Sequence, residues 1–280
     1  MTTLSTISEA WHQFGCSELR KFVINSELAG MALREIHLGH LGTGKETRQS
    51  GHLPTIYIPT HLSPEEFSAV NLTTTSETPD TIVVFLAAPQ GHLNLSLHGP
   101  GHRLAFMTSR RVEIDARLFG PSSFVIGENT FCAGMRAVIS KSIVEIGADS
   151  LLSDEILFQA GDQHGILDVG SRRYINDRQS RLRVGRHVWI GRRAVVCNRA
   201  DIGEGSVLGT AAVAGGNIPP LSVAVGNPAR VVRRGVSWSL NEDSLAAHET
   251  AFLDSMLSPR ATKPNNGSVV HRVLKRLSRA

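Results

Sequence analysis

From Val184 the chain divides into six-residue units without remainder: "VGRHVW", "IGRRAV", "VCNRAD", "IGEGSV", "LGTAAV", "AGGNIP". Position one holds Val184, Ile190, Val196, Ile202, Leu208 and Ala214, and position two is glycine in five of the six units. Position five is mostly small, with Val188, Ala194, Ala200, Ser206, Ala212 and Ile218. Upstream the same count catches Ile114, Ile126 and Val138 and then, after a two-residue slip, Ile146, Leu152 and Phe158. A period of six fits neither a heptad nor a two-residue alternation. It fits a parallel β-helix, in which each unit supplies one short strand and one corner, and each coil needs its neighbours to bury anything. The aliphatic residue points inward and stacks on its equivalents. Glycine follows where the corner leaves no room for a Cβ or needs unusual dihedrals.

On these repeats the chain resembles the hexapeptide-repeat acyltransferases, the left-handed β-helix superfamily. "VAVGNPARVV" (Val223 to Val232) is similar to the segment that ends the β-helix in maltose, galactoside and polysaccharide O-acetyltransferases. The run "DQHGILD…YIND…LRVGRHVWIG" resembles the same group, and the likeness covers roughly residues 110–240. It implies a mainly β fold: a left-handed parallel β-helix over 95–238, preceded by an N-terminal α/β extension over 1–94 and followed by a helical tail over 239–280. The left hand comes from the likeness alone.

Between Phe158 and Val184 the count of six stops. An inserted loop costs a β-helix little, because the coils on either side still stack. The stretch 159–183 therefore marks a place where something beyond packing is built. It presents Asp162, His164, Asp168 and Asn176, with Arg172 and Arg173 beside them. Acyl transfer from a thioester to a hydroxyl requires removal of the hydroxyl proton, a task that suits an imidazole titrating near neutrality. In the family this loop carries the general base, and His164 matches that position. Asp162 or Asp168 would orient the ring or bind acceptor hydroxyls, with Asn176 and Arg173 as further acceptor-binding candidates. Trp189 reads either as outward packing or as a wall of the acceptor site.

The resemblance also implies a homotrimer, with acetyl-CoA as co-substrate in a cleft between subunits and pantetheine along the coil corners at Gly191, Gly209 and Ala212. Basic groups should then meet the phosphates, and Arg192, Arg193, Arg230, Arg233 and Arg234 are the candidates. The family commonly places Ser, Thr or Lys near "GTAAVAGG"; alanines stand here, which puts side-chain contacts to the coenzyme in doubt. The expected activity is acetyl transfer to a sugar hydroxyl, in a capsular or lipopolysaccharide glycan or its precursor. Transfer to an amine nitrogen of an amino sugar or amino acid, and a non-catalytic β-helix scaffold, are the alternatives.

Other classes fare worse. "GHLGTGKE" (Gly39 to Glu46) has the GxxxxGK spacing, but Glu46 stands where a P-loop needs Ser or Thr, and Gly51 and Pro54 end any helix quickly. A zinc hydratase on the same fold needs three converging histidines. His164 and His187 have two ligands' separation, but the third position is Arg192, whose guanidinium is no neutral ligand, so no metal is expected. Three scattered cysteines without CxxC spacing suggest neither disulfides nor zinc.

The net charge of +4 is a matter of location, since residues 259–280 hold six Lys or Arg and no acid, leaving 23 basic against 25 acidic residues elsewhere. A nucleic-acid footprint is unsupported, and the tail reads as a solvated end with at most weak contact to an anionic surface. No apolar run reaches 18 residues and the first residues lack a signal peptide's pattern, so the expected location is cytoplasmic. In the first hundred residues "SEAWHQFGCSELRKFVI" suggests an amphipathic helix, "TIYIPT" and "TIVVFLAAP" strands, and "LNLSLHGPGHRLAF" an irregular first coil. This region would cap the open β-helix end or help bind a large acceptor. After Trp238, "SLNEDSLAAHET" suggests a helix.

Overall fold

A computed structural model describes residues 31–38, 52–176 and 179–258 of the chain. The helix expected near the N-terminus, the GxxxxGK stretch and the basic tail lie outside the described residues. From Thr55 to Val225 the described residues wind as a parallel β-helix with three faces. Face 1 runs from Thr55–Pro59 through Ile82–Phe85, Arg103–Phe106, Ser123–Ile126, Ser142–Ile146, Ser180–Val184 and Asp201–Ile202 to Asn217–Ile218, and Leu33–Ile36 joins it antiparallel at the start. Faces 2 and 3 share one sheet because long strands bend around the corner between them. The strand Phe131–Ser140 pairs first with Leu151–Leu152 on face 2 and then with Ile156–Ala160 on face 3. Face 2 continues through Trp189–Ile190 and Val207–Leu208 to Ser222–Val225, and face 3 through Val195–Cys197 to Val213–Ala214.

The six-residue count maps onto this winding. Val184 pairs with Ile146 and neighbours Ile202, which neighbours Ile218, and all four side chains are buried in one stack. The position-two glycines need space rather than a special dihedral. A Cβ at Gly185 would come within 2.7 Å of the Glu204 amide nitrogen, and one at Gly191 within 2.7 Å of that of Thr210. The left-handed turn falls two residues later, at position four: His187, Arg193, Arg199, Gly205 and Ala211 all have φ between 55° and 72°. Each non-glycine residue there costs about 1–2 kcal/mol of backbone strain, carried by coil-to-coil hydrogen bonds such as His187 N–H to the Ala148 carbonyl at 2.8 Å.

The β-helix begins well before residue 95, the boundary drawn from the repeat. Thr55–Tyr57 already pairs in parallel with Ile82–Val84, and Val70–Thr74 with Leu93–Leu97. The early coils are wider. Phe85 lies opposite Phe106 and Leu97 opposite Leu118, 21 residues on, while Ile126 lies opposite Ile146, 20 on. Wider coils enclose more volume, and aromatic rings fill it: Phe67, Phe85, Phe106 and Phe124 are fully buried, with successive ring centroids 5.3, 5.3 and 5.7 Å apart. The two-residue slip at Ile146 is therefore a real change of coil length. The described part of the N-terminal extension thus contributes strands to the same β-helix.

At the far end a cis Asn227–Pro228 bond precedes the strand Arg230–Arg234, which returns antiparallel along Ser222–Val225. The chain then climbs back along one corner. Val236 N–H donates to the Leu221 carbonyl, Ser237 Oγ to that of Gly205 and Trp238 Nε1 to that of His187. Residues 239–280 form a second unit. Its helix is Ala247–Leu257, later than the sequence pattern suggests: the Glu249 carboxylate accepts from the N–H groups of Leu240 and Ala246 and from the Ser239 hydroxyl, which holds residues 239–246 in an irregular bend ahead of the helix.

Candidate active site

The chain leaves the coil at Gly161. Its φ is +82°, and a Cβ there would lie 2.0 Å from the Ser140 carbonyl oxygen, so only glycine permits the exit. It returns at Ser180, whose hydroxyl meets that of Ser142 at 2.8 Å. Exit and return lie at the corner between faces 3 and 1. The coil before turns this corner at Lys141 (φ 48°) and the coil after at Arg199 (φ 67°). The excursion between carries a two-strand hairpin, Leu167–Asp168 against Arg173–Tyr174.

Asn176 gathers the base of this loop. Its Nδ2 donates to Asp162 Oδ2 at 2.9 Å and to the His164 carbonyl at 2.8 Å, and its Oδ1 accepts from Ile166 N–H at 2.7 Å. His164 is thereby held through its backbone. Its side chain is exposed, and among the described residues no side chain hydrogen-bonds its ring. Gly165 lies against Tyr174, where a Cβ would come within 2.5 Å of the ring carbon Cε1. His164 lines a cleft of about 370 Å³ together with Lys141, Asp162, Tyr174, Asn176 and Asn198.

The carboxylates do not take the roles expected of them. Asp162 accepts from Asn176 rather than orienting the imidazole. Asp168 caps the hairpin turn, accepting from the Ser171 hydroxyl at 2.6 Å and its N–H at 2.7 Å, and these bonds hold its carboxyl below the usual range. Asn176 acts as a clip as well as a lining residue, and Arg173 stands exposed on the hairpin. Tyr174, Lys141 and Asn198 were not singled out in the sequence. Among the described residues the Asn198 Oδ1 is buried without a partner, and Asn198 reaches the cleft only because the next coil's corner is stacked under the loop.

The remaining candidates lie elsewhere on the coils. Trp189 faces outward on face 2, 39% exposed, with Nε1 3.3 Å from Ser153 Oγ and its ring 6.3 Å from that of Trp238. Gly191, Gly209 and Ala212 form the corner between faces 2 and 3, but their N–H groups are spent on the carbonyls of Leu208, Ala224 and Gly209. Ala212 is fully buried. Any coenzyme contact by these three would use something other than their N–H groups. Arg192 and Arg193 share the Glu155 carboxylate, and Arg192 also meets Asp154 at 3.2 Å. Arg230, Arg233 and Arg234 are exposed on the last strand, where Arg230 donates only to the Ala229 carbonyl and the other two have no partner among the described residues. His187 is a structural residue: buried, stacked at 4.4 Å on Trp238 and hydrogen-bonded through Nε2 to its carbonyl at 3.1 Å. Among the described residues no three side chains form a metal-binding group, and no helix is long and apolar enough to cross a membrane.

No protein-family model matches the chain. Its relatives by sequence are acetyltransferases. It is 27% identical over 119 residues to the polysialic acid O-acetyltransferase of Escherichia coli O1:K1, covering 42% of this chain and 38% of that one. It is 36% identical over 115 residues to a probable acetyltransferase of Mycobacterium tuberculosis, covering 40% and 37%. The chain thus spans about two fifths of the length of the curated relatives it matches. Among solved structures it resembles the polySia-specific acetyltransferase NeuO, with a TM-score of 0.59 at 20% identity over 68% of this chain and 82% of that one. That likeness is one of fold.

Proposed function

We propose that this chain is an O-acetyltransferase that moves an acetyl group from acetyl-CoA to a sugar hydroxyl of a surface glycan or its precursor, with His164 as general base. The observation that carries the reading is the His164 loop: an imidazole held by its own backbone, free at its ring among the described residues, over a polar cleft on a β-helix of the acetyltransferase kind. Bound acetyl-CoA supplies the thioester. A ring nitrogen of His164 accepts the acceptor hydroxyl proton as the oxygen bonds to the acetyl carbon. The carbon–sulfur bond breaks and His164 returns the proton to the departing sulfur, leaving an ester and a free thiol. Asn198 and Tyr174 line the same cleft, which supports a role for them in holding acceptor hydroxyls.

The outer surfaces support a trimer. On face 2, Phe131, Leu151, Trp189, Val207 and Val223 stand in register on successive coils, and on face 3 Leu157, Val195 and Val213 do the same. Face 1 presents Arg181, Arg183, Asp201 and Asn217 at its C-terminal end. Apolar rows on two faces and a polar third match copies packed by faces 2 and 3. In such an assembly Trp189 and the corner at Gly191 and Gly209 belong to the coenzyme groove of one copy, with the His164 loop reaching it from the next. Of the arginines, Arg233 and Arg234 suit the coenzyme phosphates better than Arg192 and Arg193, which Glu155 already engages.

Thiol release from acetyl-CoA, measured across capsular, lipopolysaccharide and simple-sugar acceptors, tests the reading. The His164→Ala variant should lose about 100-fold or more in rate. An alanine variant at full rate, or no thiol release with any acceptor, overturns it.

A further inference from the structure

The row of outward side chains that leads into the His164 cleft is unlike the rest of the solenoid surface. Along face 3, His98 lies opposite Phe119 and Phe119 opposite Ser140, so the three stand on successive coils. Ser140 itself lines the cleft. The rings of His98 and Phe119 stack at 4.4 Å with an interplanar angle of 17°, both half-buried on the outside of the sheet. The Thr75 hydroxyl, one coil further out, fixes the imidazole through Nδ1 at 2.6 Å. Burial and then the charge of Arg117 push the His98 ring toward its neutral form. Beside this pair Lys141 lies along the corner. Gly120 has no Cβ to block it, since one built there would meet Lys141 Cγ at 3.3 Å and Cε at 3.6 Å. Lys141 is exposed, lines the cleft and has no partner among the described residues.

Resting on the transferase reading above, we infer that the Thr75–His98–Phe119 row, with Lys141, is a track for the acceptor, which is a glycan chain rather than a single sugar. Stacked face to face, the two rings turn their edges outward on the N-terminal coils of face 3, ahead of the aliphatic row, and so form an apolar strip against which the C–H groups of a pyranose pack, while an ammonium beside it donates to ring and hydroxyl oxygens. Coils stand about 4.8 Å apart and Thr75 lies three coils from Ser140, so the track extends about 14 Å from the cleft, room for roughly two or three sugar residues beyond the one acetylated. Further toward the C-terminus face 3 turns aliphatic at Leu157, Val195 and Val213. The polar, ring-bearing part is confined to the coils on the N-terminal side of the loop, which gives the chain its direction.

The test uses the full-length protein and size fractions of one, two, four and eight residues from hydrolysates of polysialic acid and of dextran. It reads thiol release, and retardation of the protein in gels containing the parent polysaccharide. With one of the two, kcat/KM should rise about tenfold between two and eight residues. In Phe119→Ala the eight-to-two ratio should fall toward one and the retardation should weaken, with the same direction in Thr75→Val, which frees the His98 ring without removing it. A flat length profile in the unaltered protein, or variants that keep its ratio, overturns the track while leaving the transferase reading intact. No thiol release with any glycan overturns the transferase reading, and retardation unaffected by Phe119→Ala then overturns the track as well.

Discussion

Asn176 Nδ2 lies 2.8 Å from the carbonyl oxygen of His164, a bond that spans the loop and fixes the backbone of the proposed base from the far side of a hairpin. Its second donor reaches Asp162, so one amide holds both ends of "DQH". The position of the imidazole therefore depends on a residue that never touches its ring.

Replacing Asn176 with alanine should lower kcat/KM about tenfold or more, because a loosened base loses its orientation toward the hydroxyl. The loop is exposed and outside the solenoid core, so the melting temperature should change little. Thiol-release kinetics beside calorimetry check this. Full activity in the alanine variant would show that the clip does not position His164.

A methyl group at Gly165 has nowhere to go unless Tyr174 moves, since it would sit 2.5 Å from Cε1. Gly165→Ala should reduce activity about tenfold through the adjoining His164. Combining it with Tyr174→Ala should cost less than the two single changes together, because the clash is gone. Strict additivity in this cycle would refute the steric link.

His102 is fully buried between the strands Gln90–His98 and Arg103–Phe106. Burial pulls its pKa down to about 4, with the carbonyls of His98 and Gly99 drawing partly the other way. The unfolded chain binds this proton below about pH 6.5, and the folded protein resists it until about pH 4. Stability is thus fully present above pH 6.5 and drains away as the pH falls toward 4, by up to about 3 kcal/mol. Urea midpoints across that window should fall more steeply for the native protein than for His102→Gln. Parallel curves would show that His102 does not carry the effect.

Glu155 accepts from both Arg192 and Arg193. If those arginines served coenzyme phosphates, Glu155→Gln would release them and lower the KM for acetyl-CoA. Since Arg233 and Arg234 are exposed and their side chains have no partner among the described residues, Glu155→Gln should leave that KM within about twofold, and Arg233→Ala with Arg234→Ala should raise it about tenfold. Isothermal titration with CoA at low and moderate salt gives the same comparison as affinities. A tight-binding Glu155→Gln variant would reverse the assignment.

The count of six was enough to specify the coils from Val184 onward, since a strict repeat leaves a stacked aliphatic column few other ways to be buried; upstream it caught Ile114 and Ile126 but also Val138, which faces outward between the buried Ala137 and Ile139. His164 was visible for a related reason: a regular winding makes its one long interruption conspicuous. Ahead of the loop the coils take 20 or 21 residues and fill with Phe85, Phe106 and Phe124, so no strict short period survives in the sequence although the winding is the same. Side-chain partnerships were beyond reach of any local pattern. Asp162 and Asp168 look alike in sequence, yet one meets Asn176 and the other Ser171. Lys141 and Asn198 enter the cleft only because successive coils place their corners above and below it. Sequence alone determined the solenoid and the loop, because both are set by what recurs along the chain. Which groups surround the imidazole was decided by the tertiary structure, because stacking brings together residues a whole coil apart.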